Sequence, residues 1–388
     1  MIIKKAKRIQ ELPPYLFAEI DKQKNALKAR GVDIISLGIG DPDLPTPAHI
    51  VERLQAAAAN PTNHRYPDYE GLLSFRQAAA SWVRTRFGVV LDPETEVVSL
   101  IGSKEGIAHM PIAFVDPQDI VLCPDPGYPV YAVGTGFCGG AVHRMPLTKA
   151  NGFLPDLSAI PTSVAKAAKL MWLCYPNNPT SATATRDFFQ DAIDFARRNE
   201  VIICHDAAYS EIYFDGEKPI SFLEVNGARE IGIEFHSLSK TFNMTGWRVG
   251  FAVGNAELIA GLGKVKTNVD SGVFQAVQEA AIAALSGDQG CVDRAREIYQ
   301  NRRDLVMNAL GKAGLSAIPP RATFYVWVET PRGYGSAEFA AKVLEETGVV
   351  ITPGTGFGPS GEGYVRLSLT LNGDRLAEAV GRIERLSL

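Results

Sequence analysis

The chain has 388 residues, of which 46% are hydrophobic and 21% charged, an ordinary composition for a folded globular protein. This length favours two domains over one hydrophobic core. The formal net charge of -4 and the isoelectric point of about 5.9 argue against a nucleic-acid or anionic-membrane partner.

The N-terminal sequence MIIKKAKRIQELPPYLF has no apolar core of signal-peptide length, and no apolar run of transmembrane length follows it. The five cysteines are isolated and lack CxxC spacing, so we expect neither a disulfide framework nor a metal site. We therefore predict a cytoplasmic protein that binds no metal.

The next elements are predicted from the spacing of apolar residues. A helix is predicted from Pro14 to Gly31, followed by a short strand in DIISLGIG and a turn in DPDLPTP. Apolar runs then alternate with amphipathic stretches, the runs being EVVSLIGS, DIVLCPDPGY, KLMWLCYP, EVIICHDAAY, IEFHSLSK and RVGFAVG. Near-continuous apolar runs indicate strands buried on both faces, so we predict a doubly wound, mostly parallel α/β sheet of about seven strands.

The pattern changes after about residue 290, where a long charged helix leads to strands in FYVWVE and YVRLSLT and to a closing helix. This pattern favours a second, smaller α/β domain that the N-terminal segment completes. We predict a small domain made of residues 1–44 and 285–388, and a large domain over residues 45–284.

Polar residues follow the carboxyl ends of the predicted strands. They are Ser103, Lys104, Tyr128, Asn178, Asp206, Tyr209 and Lys240. Because ligands bind at that edge of an open parallel sheet, these separate segments indicate one site.

Two segments suit a phosphate group. In IGSKEG a Gly-Ser pair lies at a strand-to-helix turn, where free N–H groups favour an anion, although an ordinary helix cap is the alternative. In HSLSKTFNMTGWRVG, Arg248 and the hydroxyls of Ser237 and Ser239 suit the same role. Neither IGSKEG nor LGIGDPD has the glycine spacing of a Walker A or dinucleotide motif.

Lys240 lies within that second segment. A lysine held near a cation and away from water has a lowered pKa, which frees its amine for Schiff-base chemistry. The alternative is a surface lysine near a turn.

The remaining residues favour an aromatic, cationic cofactor. Asp206 ends an apolar strand and could pair with a protonated pyridine nitrogen, unless it only caps the next helix. Tyr128 could stack on a planar ring or only pack. Arg366 faces one side of its strand and could bind a carboxylate or point into solvent. Together these groups indicate pyridoxal phosphate (PLP).

The segment SLSKTFNMTGWRVG resembles the Schiff-base lysine signature of the fold-type I aminotransferases, class I/II, and this resemblance covers nearly the whole chain. It implies a three-layer fold with a mostly parallel seven-stranded large domain and a smaller α/β domain. It also implies that Lys240 binds PLP and moves the substrate proton, while Ser237 and Arg248 hold the phosphate. The segment NNPTS resembles the Asn-Pro-Thr-Gly motif of the family, with Ser181 in place of the glycine.

The same resemblance implies roles for other residues. Asn178 and Tyr209 would contact the phenolic oxygen of PLP and Asp206 its ring nitrogen. Tyr128 would stack on the ring, and Ser103 and Lys104 would bind the phosphate. Gly40 and Arg366 match the site of the substrate α-carboxylate. Tyr66 matches a tyrosine that reaches the phosphate of the neighbouring subunit, which implies a homodimer with shared active sites.

Within the family, ELPPYLFAEIDKQKNALKARGVDIISLGIGDPDLPTP (residues 11–47) and HRYPDYEGLLSFRQA look like LL-diaminopimelate aminotransferases. Some of those have a glutamate three residues after the tyrosine that matches Tyr66. Here that position is Tyr69, with Glu70 next, so we expect both to read the distal end of the substrate. The segment around Tyr15 is either a lid over the substrate or a contact with the partner subunit.

The predicted reaction interconverts LL-diaminopimelate and 2-oxoglutarate with tetrahydrodipicolinate and glutamate. The alternatives are an aspartate- or alanine-type aminotransferase and a PLP-dependent β-lyase. A non-enzymatic PLP-binding regulator is disfavoured, because no winged helix precedes residue 14 and the net charge is negative.

Overall fold

The computed structural model describes residues 3–10, 12 and 16–386. The strands are β1 (Ile35–Ser36), β2 (Val97–Leu100), β3 (Ile120–Asp125), β4 (Ala141–Pro146), β5 (Ala168–Cys174), β6 (Ile202–Asp206), β7 (Gly232–Ser237), β8 (Gly250–Gly254), β9 (Tyr325–Glu329), β10 (Val349–Val350), β11 (Thr352–Pro353) and β12 (Tyr364–Ser368). The helices are α1 (Lys7–Gln10), α2 (Leu16–Ala29), α3 (Ala48–Ala58), α4 (Leu73–Phe87), α5 (Ser103–Phe114), α6 (Val130–Phe137), α7 (Thr162–Ala167), α8 (Arg186–Asn199), α9 (Ala228–Ile231), α10 (Leu238–Thr241), α11 (Ala256–Val269), α12 (Gln275–Ser286), α13 (Gly290–Lys312), α14 (Ser336–Thr347) and α15 (Gly373–Ile383).

Seven strands form the central sheet in the order β2-β8-β7-β6-β5-β3-β4. Neighbouring strands are parallel except on both sides of β8, which runs antiparallel to β2 and to β7. The predicted mostly parallel, seven-stranded sheet is confirmed. All six apolar runs contain a strand of this sheet. The seventh strand, β4, was missed because it is an edge strand whose residues are largely exposed.

Helices cover both faces of the central sheet, so the fold has three layers. Met171 and Leu173 of β5 pack into the hydrophobic core on one face, while Leu170 and Trp172 pack into the core on the other. This alternation follows from the two-residue period of a strand. It explains why strands buried on both sides appear as continuous apolar runs.

A second core surrounds the smaller sheets. Strands β11, β12 and β9 form an antiparallel sheet in that order, and β1 pairs in parallel with β10. Strands β9 and β12 match the predictions from FYVWVE and YVRLSLT. The pairing of β1 with β10 attaches the N-terminal segment to the C-terminal part of the chain. The predicted domain boundaries themselves stay a prediction.

This topology places the carboxyl ends of β3, β5, β6 and β7 at one edge of the central sheet, because these four strands are parallel. The residues singled out in the sequence follow those ends. Among the described helices, none has the length and apolar character needed to cross a bilayer.

Candidate active site

Lys240 lies in α10, directly after β7. Its Nζ is 3.4 Å from the carbonyl oxygen of Gly40. The pKa of this amine is lowered to about 8, chiefly by burial and further by the charges of Arg248 and Arg366, while Asp41 opposes the shift. The unprotonated, nucleophilic fraction at neutral pH is therefore larger than that of an ordinary lysine by about two orders of magnitude.

Asp206 is the last residue of β6 and is buried. Tyr131 donates its hydroxyl proton to Asp206 Oδ2 across 2.8 Å, and the backbone N–H of Ala208 donates to Oδ1 across 3.2 Å. Burial raises the pKa of this carboxyl group, and the two hydrogen bonds oppose that rise. Both donors are neutral, so the site suits a ligand that brings a positive charge, such as a protonated pyridine nitrogen.

Tyr128 follows the end of β3 and is half-buried. Its ring meets that of Tyr131 edge to face, with the centroids 5.8 Å apart. Tyr131 was missed in the sequence, although it follows Tyr128 by three residues at the start of α6 and therefore lies on the same side of that turn. The pair brings an aromatic ring close to the Asp206 carboxylate.

Gly102 and Arg248 meet at the N-terminus of α5. A Cβ atom at Gly102 would lie only 2.2 Å from Nη2 of Arg248, and Gly102 has a φ of 74°. A side chain at position 102 would therefore displace the guanidinium group. The first turn of α5, which begins at Ser103 and Lys104, offers backbone N–H groups without helical partners. These N–H groups and the exposed Arg248 can together bind a phosphate.

The two serines before Lys240 differ in their hydrogen bonding. Ser237 ends β7 and is buried, whereas the Ser239 hydroxyl donates to the carbonyl oxygen of Met244 across 3.4 Å. A hydroxyl that already donates to the protein can still accept a hydrogen bond, but phosphate oxygens need donors. Ser237 therefore suits a phosphate better than Ser239 does.

A buried ion-pair cluster lies next to the first turn of α5. Lys266 is fully buried, and its Nζ lies 3.1 Å from a carboxylate oxygen of Glu105 and 3.1 Å from one of Asp270. Glu105 also accepts from the backbone N–H of Ile101 and contacts His109. Glu105, His109 and Asp270 are spaced closely enough to ligate a metal ion, but the Lys266 ammonium already supplies the positive charge there. The cluster holds the start of α5 in place.

Arg366 lies at the opposite end of the site, on β12, and is buried. Its Nη1 donates to Asn178 Oδ1 and its Nη2 to the carbonyl oxygen of Gly38, each across 2.8 Å. The guanidinium carbon lies 4.0 Å from the ring centre of Tyr325 and 4.5 Å from that of Phe357. Among the described residues the Arg366 Nε finds no partner. A buried donor without an acceptor is what a carboxylate ligand would satisfy.

Gly40 and Tyr209 both lie next to Tyr325, whose ring is under the Arg366 guanidinium. A Cβ atom at Gly40 would lie 2.1 Å from the hydroxyl oxygen of Tyr325, so a side chain there would displace that ring. The Tyr325 hydroxyl is 3.2 Å from the Tyr209 hydroxyl. Tyr325 was not predicted from the sequence, because one more aromatic residue in an apolar strand carries no distinguishing signal.

Three predicted residues have exposed side chains. Tyr66 and Tyr69 are 86% and 45% exposed, and Glu70 is also exposed. The carbonyl oxygen of Glu70 accepts from the backbone N–H of Ser99 in β2. In the single chain, then, the side chains of Tyr66, Tyr69 and Glu70 are exposed to solvent. Tyr15 lies outside the described residues.

The remaining predicted residues form one group, because the charges of Asp206, Arg248 and Arg366 all act on the pKa of Lys240. Lys240 supplies a nucleophilic amine, Asp206 a buried carboxylate, and Arg366 a buried guanidinium group. The start of α5 adds backbone N–H groups that suit an anion. Such a group can bind a phosphorylated, cationic ring together with a carboxylate substrate.

Comparison with known proteins agrees with this geometry. Residues 32–383 match the family described as "Aminotransferase class I and II". The LL-diaminopimelate aminotransferase of Syntrophobacter fumaroxidans is 58% identical over 387 residues, which cover 100% of both chains. That of Desulforudis audaxviator is 60% identical over 378 residues, 97% of this chain and 96% of the relative.

Solved structures lead to the same family. The substrate-bound structure of BacF from Bacillus subtilis is 40% identical and has a TM-score of 0.94, covering 100% of this chain and 98% of BacF. A mutant aspartate aminotransferase of Thermus thermophilus is 28% identical over the full length of both chains, with a TM-score of 0.93. The chain belongs to the class I and II aminotransferases.

Proposed function

We propose that this protein is a PLP-dependent aminotransferase that interconverts LL-diaminopimelate and 2-oxoglutarate with tetrahydrodipicolinate and glutamate, a reaction of lysine biosynthesis. Relatives named LL-diaminopimelate aminotransferase, 56–60% identical over nearly the whole chain, support this substrate. The observation that carries the proposal is the amine of Lys240, with its pKa lowered to about 8, in one group with Asp206 and Arg366.

The residues of this group fit PLP. The buried Asp206, which has only neutral donors, would pair with the ring nitrogen, and Tyr128 would lie against the ring. Asn178 and Tyr209 would bind the phenolic oxygen. The phosphate would lie at the start of α5. Its proposed ligands are Ser103, Lys104, Ser237 and Arg248, while Ser239 is less suited because its hydroxyl already donates to Met244.

Each polar group then has a distinct task. Bound PLP withdraws electrons from the substrate Cα, which makes the Cα proton removable. Lys240 Nζ accepts that proton, because its lowered pKa keeps part of the amine unprotonated. Arg366 binds the α-carboxylate through its unpartnered Nε and its Nη groups, and so orients the Cα–H bond toward Lys240. Asp206 keeps the ring nitrogen protonated.

We infer a homodimer in which Tyr66 of each copy reaches the phosphate site of the other. Exposed apolar side chains support this inference. Tyr66, Val269 and Phe274 are 86%, 59% and 44% exposed. Their segments are neighbours, because Gln275 donates to the carbonyl oxygen of Arg65. A monomer rarely leaves such a patch uncovered. Tyr69 and Glu70 would then read the distal end of the substrate bound by the other copy.

Two further proposals concern organisation and location. Residues 1–44 and 285–388 would form the small domain and residues 45–284 the large one, a division supported by the pairing of β1 with β10. The predicted cytoplasmic location agrees with amino-acid biosynthesis.

An amino-donor panel tests the proposed function. Purified protein with PLP and 2-oxoglutarate would be given LL-diaminopimelate, aspartate, alanine or a β-substituted amino acid, and glutamate and pyruvate would be measured. We expect glutamate from LL-diaminopimelate at the highest kcat/KM. Preference for aspartate or alanine would contradict the proposed substrate, and pyruvate release without an acceptor would indicate a lyase.

The matched control for the catalytic residue is Lys240→Ala. Borohydride treatment should fix PLP covalently to the wild-type protein, on the peptide that contains Lys240, and should fix none to the variant. A Lys240→Ala protein that still transfers amino groups would overturn the assignment.

A further inference from the structure

Ser181 and Thr323 both have a left-handed backbone conformation, with φ values of 63° and 67°. Both are buried, at 5% and 0% exposure. Residues other than glycine rarely adopt this conformation, and a β-branched residue such as threonine does so least readily. Ser181 stands where the family motif has glycine. Two strained residues that persist in one place indicate a compensating interaction.

Their side chains meet. Ser181 Oγ is 2.8 Å from Thr323 Oγ1, and it donates to the carbonyl oxygen of Tyr325 across 2.8 Å. The backbone N–H of Tyr325 donates to Thr323 Oγ1 across 3.1 Å. Because the single hydroxyl proton of Ser181 goes to the carbonyl, the Thr323 hydroxyl must donate to Ser181. The three residues thus form a closed ring of hydrogen bonds.

This ring of hydrogen bonds satisfies backbone groups that have no neighbouring strand, at a buried position of an edge strand. Strand β9 lies at the end of its sheet, and Tyr325 is its first residue. The carbonyl oxygen of Phe324 accepts from Leu369, so the N–H and C=O of the next residue, Tyr325, point away from β12. The hydroxyls of Thr323 and Ser181 bind these two groups.

The ring of hydrogen bonds also connects Tyr325 and Asn178, the two residues that hold the Arg366 guanidinium. Tyr325, which the ring holds by its backbone, lies under the Arg366 guanidinium at 4.0 Å. Asn178, which accepts from Arg366, belongs to the same turn as Ser181, whose N–H donates to the carbonyl oxygen of Asn177 across 2.9 Å. A glycine at position 181 would leave the turn and the strand unconnected at this point.

We propose that Ser181 and Thr323 are positioning residues that fix the Arg366 guanidinium for the substrate carboxylate. The inference rests on the proposed function, since it takes Arg366 as the carboxylate ligand. Both substrates carry an α-carboxylate, so the hydroxyl pair acts on the binding of both. The two hydroxyls bind each other and the backbone of Tyr325, whereas Lys240 Nζ lies 5.5 Å from the ring centre of the intervening Phe324. We therefore expect proton transfer to change much less than carboxylate binding.

The test compares Ser181→Ala and Ser181→Gly with the wild-type protein. Both variants lose the hydroxyl, but glycine also relieves the left-handed strain, so it should unfold at a higher temperature than the alanine variant. We expect KM for LL-diaminopimelate and for 2-oxoglutarate to rise about five- to tenfold in both, the effect of losing one neutral hydrogen bond. We expect kcat to change by less than about twofold.

Thr323→Ser is the matched control, because it keeps the hydroxyl, and it should bind substrates like the wild type. The dissociation constant of glutarate, a dicarboxylate without an amino group, measures the same effect without turnover. Unchanged KM values and glutarate affinity in both Ser181 variants would overturn the proposal. The proposal would also be overturned if KM differed between the two Ser181 variants in step with their unfolding temperatures, because both variants lack the hydroxyl. A wild-type protein that binds glutarate but transfers no amino group would instead contradict the proposed function alone.

Discussion

Tyr131 and Asp206 form a buried hydrogen bond of 2.8 Å, in which the phenol donates to the carboxylate. Burial raises the pKa of Asp206, and this bond is the largest of the effects that oppose the rise. Tyr131 is itself held by stacking on Trp172, with the ring centroids 4.9 Å apart. The tyrosine therefore favours the ionised carboxylate that a pyridinium ligand requires.

Tyr131→Phe should weaken PLP binding. The variant keeps the stacked ring but removes the donor to Asp206, so the pKa of the carboxyl should rise further and its ionised fraction should fall. A hydrogen bond to a charged group contributes about 1.5 to 3 kcal/mol, which corresponds to a loss of PLP affinity of at least about tenfold. The PLP affinity is measured by titrating the cofactor-free protein with PLP and following the absorbance.

Tyr175→Phe is the control for that experiment. Tyr175 is also buried and donates its hydroxyl proton, but to the carbonyl oxygen of Phe153. Loss of the Tyr175 hydroxyl should lower the stability of the fold and leave PLP affinity unchanged. Equal PLP affinity in the Tyr131 variant and the wild type would contradict the role given to Tyr131.

The reactivity of Lys240 should depend on pH with a midpoint near 8. Burial lowers the pKa of this amine to about 8, so the unprotonated form accumulates as the pH rises through that value. An exposed lysine would need a pH above about 10. PLP trapped on the cofactor-free protein by brief borohydride treatment, measured at a series of pH values, reports the unprotonated fraction. A midpoint near 10 would contradict the effect of burial.

The pKa of Lys240 also predicts the pH dependence of folding. Its folded-state value lies below the unfolded one, so between about 8 and 10.5 the unfolded chain binds the proton more tightly. This group alone therefore makes the cofactor-free protein more stable as the pH rises through that window. Lys240→Met should remove that part of the dependence in urea unfolding.

Arg366→Ala should lower kcat/KM for the amino donor and for the oxo acid alike, by about a hundredfold or more, because both carry the α-carboxylate. The control is Arg375→Ala. Arg375 pairs with Asp33 and Glu378 on the surface, where such ion pairs contribute little. A loss confined to one of the two substrates would show that Arg366 does not bind the shared carboxylate.

The fold was largely predictable, because the strands of the central sheet are buried on both faces and appear as unbroken apolar runs. The exposed edge strand β4 gave no such run and was missed. Much of the site was also predictable, since a parallel sheet places residues such as Asp206 and Lys240 at one edge. Tyr131 and Tyr325 were not predicted, because their importance comes from contacts with residues far away in sequence.

Ser181 shows most directly what could not be predicted from the sequence. Its departure from the family motif was visible in the sequence, but its meaning depends on Thr323, which lies 142 residues later. Only the folded chain shows that the two left-handed residues face each other. Tyr66, Tyr69 and Glu70 pose the same difficulty, because the roles proposed for them require a second copy of the chain.

Glu234 is the centre of a buried network on the other side of the sheet from Asp206. Its carboxylate binds His205 Nδ1 and His236 Nε2, each at 2.8 Å, and also accepts from the Ser221 hydroxyl. Although burial opposes ionisation, the hydrogen bonds from both histidines hold the pKa of Glu234 well below its usual range. His205 adjoins Asp206 on β6, so their side chains point to opposite faces. The network therefore connects β6 and β7 from the opposite face of the sheet, and it acts on the site through charge, since His205 and His236 both lower the pKa of Asp206.

Glu234→Gln should destabilise the fold by about 3 kcal/mol near neutral pH, because it leaves buried polar groups without their ionised partner. The folded pKa lies below the unfolded one, so the wild type has this stability above about pH 4 and loses it as the pH falls further. The free energies of unfolding of the two proteins, measured in urea, should therefore converge in acid.

The control is Glu230→Gln, which removes an exposed ion pair with Arg197 and should lower the free energy of unfolding by less than about 1 kcal/mol. A Glu234 variant as stable as the wild type near neutral pH, or one whose deficit persists unchanged in acid, would contradict an ionised Glu234 at the centre of this network.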